Sequence, residues 1–138
     1  MMRVLMTTDA VGGVWAYALE LASALRVKVV LAVLGPAPDP DQRAAAEAAG
    51  VRLIETGLPL DWLSNGPAAV LSAAEAVARM AREEGADLVH LNAPALAVAR
   101  HDRPVVAMNH GCLGTWWDAA RGGAVAAPSD RRSDVCGA

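Results

Sequence analysis

Five short runs of nearly unbroken apolar residues, at 3–7, 27–34, 52–56, 88–92 and 105–109, alternate with segments whose apolar residues recur at helical spacing. A strand with one face in water alternates apolar and polar side chains, whereas a strand covered on both faces is apolar throughout. The runs therefore predict a parallel sheet sandwiched between helices. In the first helical segment Val14, Ala18, Leu21, Ala22 and Leu25 fall on one face. The second, over 42–49, has Asp39 or Asp41 as N-cap, Pro40 near its first turn and Gly50 at its end. The third follows Pro67, turns Val70, Ala74, Val77 and Ala81 inward, and stops at Gly85. Strand and helix in strict alternation, joined by right-handed crossovers, predict a doubly wound α/β layer, Rossmann-like, with strand order 3-2-1-4-5.

At 138 residues the chain is long enough for one domain with a real core and too short for two. The regular pattern runs over 1–117, and residues 118–138, rich in Gly, Ala, Pro and charge, read as an irregular tail. Hydrophobic residues make up 54% and charged residues 20%, the balance of a folded protein. Phe is absent and aromatics reach only 4%, so the core is built from Val, Leu, Ala and Met. A formal charge of -3 with scattered arginines gives no cationic patch for nucleic acid. No stretch approaches the roughly 18 apolar residues of a transmembrane segment. The opening apolar run is short and is followed early by Asp9, which argues against a signal peptide and for a cytoplasmic protein. Cys112 and Cys136 lack the spacing of a zinc or redox motif, and no metal or cofactor is expected.

In the order 3-2-1-4-5 the winding reverses between the first and fourth strands, and ligands bind beyond the carboxyl ends of the strands there. Residues 8–13, 93–95 and 110–115 border that crevice. Gly12 and Gly13 open the first helix, where free N–H groups and the helix dipole favour an anion and the missing Cβ atoms admit a close approach. Their other use is a tight turn with positive φ. The turn spells neither G-x-G-x-x-G nor a Gly-Lys-Ser/Thr phosphate loop, which argues against a nicotinamide or flavin enzyme or a P-loop enzyme. His110 leaves the fifth strand and either donates to a substrate hydroxyl or a developing charge, or bonds a nearby carbonyl. His90, inside the fourth strand, reads as a satisfied core histidine, and His101 as solvated. Asp9 caps the first helix or binds a hydroxyl. Asn92 and Asn109 end strands on the ligand side and serve either a sugar or their own turns. Trp116 and Trp117 offer a flat face to a sugar ring or close the core.

The segments "MRVLMTTDAVGGVWAYALELASAL", "VVLAVLGPAPDPDQ", "TGLPLDWL", "ADLVHLNAPAL" and "PVVAMNHGCLGTWW", in this order, resemble the N-terminal domain of family-4-type retaining glycosyltransferases of the GT-B fold. The resemblance runs from Met2 to about Trp117. It implies a two-domain enzyme that moves a sugar from a nucleotide-sugar donor to an acceptor with retention, usually without a metal. It implies that Gly12 and Gly13 match the turn that approaches donor phosphates or acceptor. His110 matches the histidine near the reaction centre, and Asn92 stands where many relatives carry a second histidine. The domain that holds the main donor site in such enzymes has no counterpart here. A truncated or frameshifted product, inactive alone, is therefore expected, or a short protein paired with a separate chain carrying the second domain. The short join "ALRVKVVL" points the same way. A non-catalytic interaction module is the alternative from another class.

Overall fold

The computed structural model describes residues 1–60, 65–111 and 119–120. Five parallel strands, β1 (Arg3–Asp9), β2 (Lys28–Leu34), β3 (Arg52–Glu55), β4 (Leu88–Leu91) and β5 (Val105–Ala107), form one sheet in the order β3-β2-β1-β4-β5. This is the predicted Rossmann-like α/β arrangement with strand order 3-2-1-4-5. Helices α1 (Gly13–Ala24), α2 (Pro40–Ala48) and α3 (Pro67–Glu83) connect the strands, and a 3-10 turn over Pro94–Val98 leads from β4 towards β5. No helix among the described residues is long and apolar enough to cross a membrane.

Alternate residues of the central strands feed two separate cores. Leu5, Val30, Ala32, Leu34, Val89 and Leu91 pack against Ala73, Ala74, Val77 and Ala81 of α3. Met6, Val29, Leu31 and Val33 pack on the other face against Trp15, Ala18 and Ala22 of α1 and Ala46 of α2. The small helical side chains let backbones lie close to the sheet, which is how a chain without Phe fills its interior.

Several sequence expectations shift. β1 runs two residues past Thr7, because Thr8 and Asp9 remain in register with Val33 and Leu34 of β2. The buried stripe of α1 is Trp15, Ala18 and Ala22, while Leu25 is 39% exposed at the C-cap. The indole is the largest apolar surface on that helix, so the helix turns to bury it. Asp39, not Asp41, caps α2: its Oδ1 accepts from the Gln42 amide at 2.8 Å while Gln42 Oε1 accepts from the Asp39 amide at 2.9 Å. The connection between α1 and β2 spans residues 25–27, an ordinary length for such a join. The outer strands are not covered on both faces as their apolar sequence predicts. All three residues of β5 are exposed, and β3 is only half-covered, because each has a strand neighbour on one side alone.

Candidate functional site

β1 and β4 stay paired from Val4–Leu88 to Met6–His90 and then separate, which opens the crevice at the point where the winding reverses. Parting strands leave backbone groups without ladder partners. Asn92 supplies them: its amide donates to Thr7 Oγ1 at 3.0 Å and its Nδ2 donates to the Thr7 carbonyl at 2.9 Å. Thr7 and Asn92 are both buried, so these bonds are sheltered from water. Asn92 thus clamps β1 to β4 where the ladder ends.

The remaining atom of that side chain gathers the two histidines. His90 Nε2 lies 3.1 Å from Asn92 Oδ1, and His110 Nε2 lies 2.8 Å from the same oxygen. His90 is the satisfied core histidine the sequence suggests. His110, three residues beyond β5, comes back across β4 to reach it. Tyr17 of α1 meets the His110 ring edge-on, with centroids 4.6 Å apart and an interplanar angle of 68°. Tyr17 stands four residues after Gly13, on the same side of α1. The glycine turn and the imidazole therefore lie at the same end of the sheet, on the same side of one helix.

The turn itself is held from behind. Asp9 Oδ1 accepts from the Val11 amide at 3.0 Å, so it shapes the turn ahead of α1 and does not cap the helix. Gln42 Nε2 donates to the Ala10 carbonyl at 2.9 Å, which ties the start of α2 to the same loop. Gly12 is the N-cap, and no side chain makes a capping bond to α1. The expected alternative of positive φ fails: Gly12 has φ -150°, and neither it nor Gly13 is among the positive-φ glycines. A Cβ built on either meets nothing within 4 Å. Neither strain nor crowding from the protein therefore accounts for two glycines at an uncapped, partly positive helix start.

Asn109 does not join the cluster; its Oδ1 accepts from the Gly111 amide at 3.1 Å and ties down its own turn. Trp116 and Trp117 lie outside the described residues. His101 is not simply solvated: its Nε2 sits 2.9 Å from the Leu96 carbonyl, fastening the 3-10 turn, and it is half-buried. Sequence reasoning missed Tyr17 and Gln42. Tyr17 is the chain's single Tyr, four residues from the paired glycines, and that spacing was the available signal.

Burial lowers the His90 imidazole below its ordinary 6.5; the hydrogen bond with Asn92 opposes this and the nearby His110 reinforces it. Between the lowered folded value and 6.5 the unfolded chain binds more protons than the folded one, so stability is complete above 6.5 and declines as pH falls through that window. The melting temperature is expected to drop on acidification from neutral pH, and His90→Gln, which keeps a donor for Asn92, is expected to flatten that part of the profile. An identical slope in the variant would remove His90 as its source.

The sheet defines a Rossmann-like domain, and the Asn92 cluster stands at the winding reversal between β1 and β4. The family model for Glycosyltransferase Family 4 matches residues 11–134, nearly the whole chain, and the protein belongs to that family. Among solved structures it is similar to a glycosyltransferase from Rickettsia africae ESF-5, with TM-score 0.57 and 18% identity, a likeness of fold. That match covers 86% of this chain and 34% of the other, so the chain spans about a third of that protein's length. No curated protein matches it.

Proposed function

We propose that the chain is the acceptor-side domain of a GT-B glycosyltransferase that moves a sugar from a nucleotide-sugar donor to an acceptor with retention, in the cytoplasm. One observation carries this reading: Tyr17 joins the uncapped glycine turn to His110 across the mouth of the β1–β4 crevice. Within it the amides at Gly12 and Gly13 donate to an anionic group, diphosphate or acceptor, and the missing side chains let that group reach the backbone. His110 meets a hydroxyl beside the reacting carbon, and Asp9 and Asn92 hold the two walls. Asn109 shapes the rim, and Trp116 is assigned to the sugar face.

Sugar transfer needs strong stabilisation of the departing diphosphate, and one glycine turn with neutral side chains supplies little of it. The cationic remainder belongs to a donor-binding domain, whether on the same chain or on a partner. Two measurements test this. In a titration with nucleoside diphosphates and their sugar conjugates, the Gly12 and Gly13 amide resonances and the His110 ring are expected to shift. Gly13→Val is expected to abolish those shifts while changing stability by no more than about 0.5 kcal/mol. Shifts confined instead to the shallow depression between α2 and β3, lined by Arg43, Glu47 and Glu55, would overturn the assignment, as would no response to any ligand. Radiolabelled nucleotide sugars with a panel of acceptors are expected to give no appreciable transfer by this chain alone, and robust turnover would refute the division of labour.

A further inference from the structure

Two imidazole nitrogens converge on a single amide oxygen. Asn92 Nδ2 donates to the Thr7 carbonyl, and turning the amide over would set two carbonyl oxygens against each other, so its orientation is determined. Oδ1 can then only accept, and its two lone pairs face His90 Nε2 at 3.1 Å and His110 Nε2 at 2.8 Å. Both nitrogens must carry hydrogen. A neutral imidazole with hydrogen on Nε2 has none on Nδ1, where it presents a bare lone pair.

We propose that Asn92 is a positioning residue that locks His110 as the Nε2–H tautomer and so makes Nδ1 the atom His110 offers to a ligand. The consequence is a division of polarity across the site. The turn at Gly12 and Gly13 presents only N–H donors and suits an anion. Neutral His110 presents only an acceptor and suits a hydroxyl that donates, such as one on a sugar ring. A phosphate oxygen, which can only accept, is matched by the turn and mismatched by the neutral ring. His110 donates from Nδ1 only after it takes up a proton there.

The assignment of ligand groups rests on the sugar-transfer reading; the tautomer does not, and it is measured on the ligand-free chain. Long-range proton–nitrogen correlation spectra of the 15N-labelled protein, at a pH where the rings are neutral, distinguish the two tautomers by their ring-nitrogen shifts. His90 and His110 are each expected to show the pure Nε2–H pattern. His90→Gln is expected to leave the His110 pattern unchanged, and Asn92→Ala to convert it to a mixture. A His110 ring that is mixed or Nδ1-protonated in the unsubstituted protein overturns the proposal, whether or not Asn92→Ala folds. A pattern that changes in His90→Gln would transfer the positioning role away from Asn92 and overturn it equally. A pure Nε2–H ring in a chain that binds no nucleotide sugar would leave the tautomer lock standing and sink only the sugar-transfer reading.

Discussion

Asn92→Ala is expected to lower the unfolding free energy by about 2–5 kcal/mol, out of proportion to the single carboxamide group it removes. The side chain makes three of the contacts that hold the switch point: one to the Thr7 carbonyl and one to each histidine. The Thr7 carbonyl and His90 are buried, and each group stranded without a partner costs roughly 1–3 kcal/mol. His110 lies at the surface and turns to water at little cost. The bond from the Asn92 amide to Thr7 Oγ1 uses backbone and survives the substitution. Urea denaturation reads the effect as a lower midpoint at unchanged slope. A midpoint equal to that of the parent would mean that the clamp between β1 and β4 contributes nothing to stability.

Gly35→Ala is expected to cost about 2–4 kcal/mol, from two separate sources. Gly35 directly follows β2 at φ +76°, where a residue with a Cβ pays roughly 1–2 kcal/mol in backbone strain. The new Cβ would also lie 2.7 Å from Leu60 Cγ and 2.9 Å from its Cδ1, and forcing a methyl into a packed site adds about 1–3 kcal/mol. Leu60 is itself buried, and the Gly35 amide donates to the Leu58 carbonyl at 2.7 Å, so the leucine has little freedom to retreat. Gly50, which follows α2 at φ +70° with nothing within 4 Å, separates the two sources. Gly50→Ala is expected to show the strain alone, about 1–2 kcal/mol. Equal losses at the two positions in chemical denaturation would show that the contact with Leu60 relaxes freely.

The strands were legible because a parallel strand declares itself locally: the run at 27–34 is apolar throughout, and the structure buries all of β2 except Lys28. The helix ends were equally local, with Asp39, Pro40 and Gly50 each acting on the nearest turn of backbone. Periodicity centred the buried face of α1 on Val14, but Trp15 stands about 100° round the helix from it, and only packing with Leu31 and Val33 turned the indole inward. The apolar residues of β5 misled for a related reason. Hydropathy records what a strand is suited to pack against, and Val105 and Val106 stand 37% and 44% exposed on the sheet's last strand.

Of the candidate site, Gly12, Gly13 and His110 could be named from sequence because strand order alone sends the loops after β1 and β5 to one end of the sheet. Asn92 was visible as a strand-end polar residue, but its partners were not: Thr7 is 85 residues away and His110 is 18. By itself, then, the sequence determined the element types, their order, the sheet they build and the end of it where the loops after β1, β4 and β5 gather, since these follow from side-chain periodicity and chain handedness. Only the tertiary structure decided that one asparagine would share its carbonyl oxygen between two histidines and that Tyr17 would close on His110. Such contacts depend on angstrom-scale distances between residues brought together by folding, and no pattern along the chain encodes those distances.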